Sequence, residues 1–114
     1  MAKGRSEVLQ GTLDLMILKT LHALGPLHGF GIARRIEQVS DAVLQLNEGT
    51  VYTSLVRLQQ QGWIAADWGT SENNRKARYY FITRIGKKQL EIETENWERF
   101  AGVVGRVLSQ EGQG

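Results

Sequence analysis

The residues of this sequence that could do chemistry are cations and hydroxyl groups in the middle of the chain. Asn74, Arg75, Lys76 and Arg78 form a basic cluster, which we expect at the tip and on the returning strand of a β-hairpin. Guanidinium and ammonium groups placed in this way can bind phosphate oxygens, with an affinity that depends on salt and not on base sequence. The cluster therefore favours contact with a polyanion; the alternative is that these charges only keep a hairpin soluble.

A second polar group, on a predicted helix, consists of Thr50, Tyr52, Thr53 and Arg57. At about 100° per residue, Thr53 and Arg57 lie away from the apolar side of this helix, and Tyr52 lies at the edge between the two sides. The side chains on the polar side are small at the start of the helix, and almost none of them is acidic. This side can therefore approach a groove closely. We expect Tyr52 to donate to a phosphate, although it could instead be a half-buried packing residue. The other three would meet backbone or base edges, and the forked guanidinium of Arg57 suits guanine or phosphate.

No arrangement typical of an enzyme accompanies these groups. The sequence has no cysteine, which excludes disulfides, a thiolate zinc site and a catalytic thiol. His22 and His28 are the two histidines, and neither stands in a recognisable nucleophile arrangement. Gly29-Phe30-Gly31 lacks the third glycine and the preceding strand of a dinucleotide-binding loop. We therefore expect no enzyme activity, no catalytic residues, no metal and no cofactor.

The composition predicts one ordered domain with an uneven distribution of charge. The chain has 114 residues, 41% of them hydrophobic, and a net charge of +2. Residues 47–90 carry seven basic and three acidic side chains, whereas residues 91–114 carry two and five. A polyanion would thus meet the middle of the chain and not its end. The lack of cysteine favours the cytoplasm, and the longest apolar stretch, Leu15 to Leu18, is far too short to span a membrane.

The elements that must position these groups are four helices and a hairpin. The hydrophobic spacing predicts helices at 9–24, 29–39, 48–61 and 84–108, a short strand at 43–46, and hairpin strands at 63–68 and 77–82. Asn47 and Thr83 are expected to cap two of the helices. This fold is mainly α with a small β-hairpin, the order of a winged helix-turn-helix, in which the third helix enters the major groove. Arg34 and Arg35, on the second helix, are expected either to touch phosphate or to remain solvated.

The first and last helices have more apolar surface than one small domain can cover. The simplest partner for this surface is a second copy of the chain. The residues expected at such an interface are Leu9, Leu15, Leu18, Trp97, Ala101, Val104 and Leu108. The chain then divides into a flexible tail at 1–8, a winged helix-turn-helix DNA-binding domain at 9–83, a dimerisation helix at 84–108 and a flexible tail at 109–114.

Five fragments occur in a characteristic order within residues 9–108. They are Gly11-Thr12-Leu13-Asp14-Leu15, Gly25-Pro26-Leu27-His28-Gly29-Phe30-Gly31-Ile32, Asn47-Glu48-Gly49-Thr50-Val51-Tyr52, Arg57-Leu58 with Gly62, and Arg78-Tyr79-Tyr80-Phe81-Ile82-Thr83-Arg84-Ile85-Gly86. Together they resemble the PadR family of bacterial transcriptional regulators, in its short form with one C-terminal helix. The family pattern usually has a proline after the recognition-helix tyrosine, where this sequence has Thr53.

The resemblance implies a homodimer that binds double-stranded DNA at a palindromic operator and usually represses transcription. The first and last helices would form the dimer interface. In a multidrug-sensing branch of the family, a tryptophan of the last helix stacks planar ligands, and Trp97 lies at the matching place; the alternative is that Trp97 is only part of the dimer core. The alternative function is a winged-helix protein-interaction module that dimerises without binding DNA.

Overall fold

Four helices and a three-stranded antiparallel sheet make up the fold, which confirms the predicted winged-helix arrangement. The computed structural model describes the backbone of residues 2–110 and the side-chain surroundings of residues 11–110. The elements are α1 (Ala2–Leu24), β1 (Leu27–His28), α2 (Gly29–Val39), α3 (Glu48–Gln60), β2 (Ile64–Thr70), β3 (Lys76–Ile82) and α4 (Arg84–Leu108). The strands lie in the order β1-β3-β2, and β2 pairs with β3 from Ile64 opposite Ile82 to Thr70 opposite Lys76.

Three helices begin where the sequence predicts because a side chain caps each of them. Nδ1 of His28 accepts the Gly31 N–H of α2 at 3.0 Å. The Asn47 side chain caps α3 and the Thr83 hydroxyl caps α4, each by accepting an N–H three residues later. These bonds satisfy amide groups that have no partner within their own helix. The predicted capping roles of Asn47 and Thr83 are therefore confirmed.

The first helix is longer than its hydrophobic pattern predicts. It begins at Ala2, so residues 2–8, for which we expected a flexible tail, belong to α1. It ends at Leu24 because the next residue, Gly25, has a φ of +86°, which glycine readily adopts. Residues 111–114 of the expected C-terminal tail lie outside the described chain, and the division into domains stays a prediction.

The predicted strand at 43–46 is wrong, because this segment is an irregular loop that follows a turn at residues 40–42. Asp41 and Ala42 have φ values of +52° and +65°, which break any extended run. The hydroxyl of Ser40 accepts the Leu44 N–H, and the carboxylate of Glu37 accepts the Leu46 N–H, at 3.0 and 2.9 Å. Side chains at the end of α2 and at its C-cap thus replace the partners that a sheet would offer. The third strand of the sheet is instead β1, whose two residues pair with Tyr79 and Tyr80.

The core lies between α1, α2, α3 and the inner face of the sheet. It includes Leu13, Ile17, Leu18, Leu21, Ile32, Ile36, Val51, Leu55, Leu58, Ile64, Tyr80 and Leu90. Leu18 is 1% exposed within this single chain, so its expected place at a dimer interface is wrong. The reason is that α1 is surrounded by α2, α3, β3 and α4 of its own chain, which cover the side that Leu18 occupies.

The last helix belongs to the core only over its first half. Gly86 and Leu90 are buried, whereas Trp97 is 47% exposed and Leu108 is 78% exposed. The chain measures 61 Å along its longest axis and less than half of that along the other two. The second half of α4 is therefore largely uncovered apolar surface. Among residues 2–110, no helix is long and apolar enough to cross a membrane.

Candidate nucleic-acid interface

A basic cleft lies between α2, the start of α3 and the wing, which is the hairpin of β2 and β3. Its volume is about 960 Å³. The cations that line it come from two elements far apart in sequence: Arg34 and Arg35 from α2, and Arg75, Lys76 and Arg78 from the wing. Glu48 and Glu72 are the acidic residues in its lining. The structure thus brings five of the cations singled out in the sequence to one concave surface, with an excess of positive charge.

Aromatic rings position a cation on the α2 side of the basic cleft. The Arg34 guanidinium lies 5.8 Å from the centroid of the exposed Phe30 ring, which also packs against His28. The His28 ring in turn lies 5.4 Å from that of Tyr79 on β3. A cation over an aromatic face is stabilised by about 0.5–1 kcal/mol at an exposed site. Arg34 therefore has a preferred position at the cleft even before a ligand binds.

Trp68 positions two cations of the wing in the same way, although it was not among the expected site residues. It lies directly opposite Arg78 in the β2–β3 register. Lys76 and Arg78 each approach the Trp68 ring to 5.7 Å from its centroid, and the ring is 63% exposed. Residues two apart on a strand share a face, so one ring can contact both cations. The sequence could indicate that Trp68 lies opposite Arg78 only through the register of the two strands. That register cannot be derived until the length of the hairpin loop is known.

Asn74 shapes the tip of the wing and does not line the basic cleft. Its φ is +61°, and asparagine tolerates this left-handed conformation better than most residues. Its N–H donates to the Ser71 carbonyl at 2.9 Å, which closes the turn. The structure therefore assigns Asn74 a role in the turn, while its expected contact with DNA stays a prediction.

The start of α3 exposes three of the four polar residues expected on it. Thr50, Tyr52 and Thr53 are exposed. Tyr52 is 60% exposed and lines the basic cleft, which disfavours the alternative of a buried packing residue. The Thr53 hydroxyl donates to the Gly49 carbonyl at 2.9 Å, within the helix. The exposed end of α3 therefore lies beside the basic cleft, as a recognition helix requires.

Arg57 does not join this surface. Its Nη2 and Nε atoms donate to the two carboxylate oxygens of Asp14 on α1, at 2.8 and 3.2 Å. Nη2 also donates to the hydroxyl of Ser54, which is 1% exposed. This bidentate pair engages the guanidinium fork that we expected to meet guanine or phosphate. Arg57 thus joins α3 to α1, and the expected DNA contact is not supported.

Replacing Asp14 with asparagine should lower the free energy of unfolding by about 1–2 kcal/mol. The pair is partly exposed, with side-chain exposures of 31% for Arg57 and 19% for Asp14, so its contribution falls between that of a surface and a buried ion pair. Urea denaturation of D14N, R57Q and the double variant would measure the coupling, because each substitution removes one charge of the pair. Independent effects of the two substitutions would contradict a direct interaction.

A second concave surface, the apolar groove, lies between α1, the end of α2 and α4. Its volume is about 890 Å³. The apolar side chains that line it include Leu15, Met16, Leu24, Ile36, Val39, Leu44, Leu90 and Trp97. Two of the expected interface residues, Leu15 and Trp97, therefore share one groove. Ala101, Val104 and Leu108 continue from it along α4, whereas the side chain of Leu9 lies outside the described residues.

An exposed third helix beside a basic wing, on this fold, defines a winged helix-turn-helix DNA-binding regulator. The sequence profile of the PadR-like transcriptional regulator family matches residues 17–92. The chain therefore belongs to the PadR-like family of transcriptional regulators. This confirms the resemblance seen in the sequence and the expectation that the protein is a regulator and not an enzyme.

Solved structures of other regulators have the same fold. The chain is 31% identical to a transcriptional regulator from Clostridium thermocellum, with a TM-score of 0.78 and coverage of 89% of this chain and 94% of that one. It is 26% identical to a PadR-like transcriptional regulator from Bacillus cereus, with a TM-score of 0.77 and coverage of 92% and 99%. An uncharacterised protein from Lysinibacillus sphaericus is 28% identical over 100 residues, which are 88% of this chain and 91% of the relative.

Proposed function

We propose that this regulator acts as a homodimer that binds a palindromic operator and represses transcription. The observation that carries the proposal is the convergence of cations from α2 and the wing on one cleft beside the exposed start of α3. In each copy α3 enters the major groove, and the cleft holds the phosphates that border it. The two copies of α3 then lie in successive major grooves, about 34 Å apart. A bound dimer would exclude other proteins from the same stretch of promoter.

The uncovered half of α4 and the apolar groove support the proposed dimer. One side of α4 carries a line of residues that follow one another at steps of four and three. They are Leu90, Thr94, Trp97, Ala101, Val104 and Leu108. This line starts in the core and continues beyond it. An isologous dimer would place this line of one copy against α1 and α4 of the other and fill both grooves at once. A planar effector stacked on Trp97 would then bind at the dimer interface, and this role stays a prediction.

A titration against DNA at several salt concentrations tests the function. Duplexes selected from a random pool by the purified protein, and scrambled duplexes of the same length, would be labelled and titrated. We expect tighter binding of the selected duplexes, and affinity that falls as salt rises because bound counterions are released. Absence of binding, or affinity indifferent to salt, would refute the proposal and favour a protein-interaction module instead.

Removing two wing cations should weaken binding to all duplexes by a similar factor. For the double variant Arg75→Ala and Lys76→Ala, we expect the slope of log affinity against log salt to become less steep by up to about 3.6, or about 0.9 for each of the phosphate contacts that the two copies lose. Lys88→Ala with Arg99→Ala is the matched control, because it removes two exposed charges from α4, outside the basic cleft. An equal loss for both double variants would mean that only net charge matters.

A further inference from the structure

We propose that α3 recognises the methyl groups of thymine bases through the methyl groups of Thr50 and Thr53. This inference rests on the proposed binding of DNA and specifies what the recognition helix reads. Three observations support it. The exposed side chains at the start of α3 are small and end mainly in methyl groups, the side chains that could recognise purines are bound elsewhere, and Gly49 leaves room for a close approach to the bases.

The residues that usually identify purines are not available at the start of α3. Arginine recognises guanine, and asparagine or glutamine recognises adenine, by paired hydrogen bonds. The only arginine of α3 is Arg57, which is bound to Asp14. The side chain of Asn47 accepts the Thr50 N–H at 2.8 Å as the helix cap. Gln59 and Gln60 lie in the last turn, whereas recognition helices contact bases through their N-terminal residues.

The remaining exposed residues at the start of α3 divide into two sides. Glu48 and Tyr52 line the basic cleft, on the side where phosphates are expected. Gly49, Thr50 and Thr53 are exposed but do not line it. At about 100° per residue, Gly49 and Thr53 share one side of the helix, and the half-exposed Val56 follows them there. This second side is the one free to face the bases, and its side chains end mainly in methyl groups.

The hydrogen bond of Thr53 reinforces this chemistry. Because its hydroxyl donates to the Gly49 carbonyl at 2.9 Å, the hydroxyl proton is engaged within the helix. Thr53 then offers its methyl group and an acceptor oxygen. The thymine C5-methyl is the one apolar group that a base pair presents in the major groove, and threonine methyl groups contact it in known complexes. Gly49 adds no side chain beside Thr53, so the helix can approach the base edges closely.

The test removes one methyl group at a time from the DNA. In a duplex selected from a random pool, each thymine of the bound half-sites is replaced in turn by deoxyuridine, which lacks only the C5-methyl. We expect at least one position per half-site at which the affinity falls roughly fourfold, the effect of one buried methyl group. Replacements outside the half-sites are the control and should leave the affinity unchanged.

The matching variants remove the methyl group from the protein. Thr53→Ser keeps the hydroxyl, and we expect it to abolish the difference between thymine and uracil at one position, and Thr50→Ser at another. Thr20→Ser is the matched control, because Thr20 makes the same bond, to the carbonyl four residues before it, on α1. It should leave the thymine–uracil difference unchanged.

Three results would overturn the inference, and they can be told apart. If the protein binds selected duplexes and no uracil replacement matters, methyl recognition is refuted while DNA binding stands. If uracil matters equally in the wild type and in both serine variants, other residues read the methyl group. If the protein binds no duplex at all, the proposed function fails and this inference fails with it.

Discussion

Replacing Val104 with arginine is expected to turn the proposed dimer into a monomer and to lower the affinity for a duplex with two half-sites by on the order of a thousandfold. Val104 is 38% exposed and follows Trp97 and Ala101 on the apolar line of α4. An arginine there would place an unpaired charge in the centre of the interface. A monomer loses half of the phosphate contacts and the gain in effective concentration that joins the two half-sites.

Ile92→Arg is the matched control for this variant. Ile92 is 46% exposed on the same helix, but the helical angle places it on the side of α4 opposite the apolar line. Light scattering at micromolar concentration would give the molecular mass, and titration with selected duplex would give the affinity. A monomeric mass for the unaltered protein, or a dimeric mass for V104R, would contradict the proposed interface.

Replacing Gly86 with alanine should lower the free energy of unfolding by about 3 kcal/mol. A Cβ at this position would overlap the carbonyl oxygen of Trp63 and lie 2.9 Å from Cγ1 of Ile82. Backbone cannot move aside as a flexible side chain can, so α4 would have to shift away from the sheet. The Gly86 N–H also donates to the Thr83 hydroxyl that caps α4, and this bond would be strained by the same shift.

Gly102→Ala is the control for the effect of alanine on the same helix. A Cβ at Gly102 meets only the Nη1 atom of Arg106, at 3.6 Å, which is an ordinary contact. Alanine favours a helix over glycine by about 1 kcal/mol, so G102A should be slightly more stable than the unaltered protein. Chemical denaturation of both variants would measure the two effects. Equal stabilities would show that α4 can move away from Trp63 at little cost.

Local sequence signals are sufficient for most of the fold. The helix caps Asn47 and Thr83 and the stop at Gly25 depend on residues only a few positions away, so their effect is visible in the sequence. The strand β1 was missed because its two residues form no periodic pattern, and its partner is β3, some fifty residues later. The loop at 43–46 is not the predicted strand, because two of its N–H groups are satisfied by Glu37 of α2 and by Ser40, which caps the end of α2.

The candidate site could be predicted in its residue types but not in all of its pairings. The cations of α2 and the wing are visible as charges, and their convergence follows from the winged fold. The pairing of Arg57 with Asp14 is not visible, because the two residues are 43 positions apart and each looks like an ordinary exposed charge. Leu18 was misplaced for a related reason: a helix with two apolar faces can bury both of them in its own chain.

The bond between Asp14 and Arg57 is the one salt bridge among the side chains of residues 11–110, and it joins α1 to α3. If α1 of one copy contacts the other copy, as proposed, α1 sets the angle between the two copies. The salt bridge joins α1 directly to α3, the helix that enters the groove. A small rotation at the dimer interface would then rotate the α3 helices of both copies as rigid bodies. The distance between half-sites that the protein can bind would then depend on the orientation of α1. It could change without any change in the residues that contact DNA.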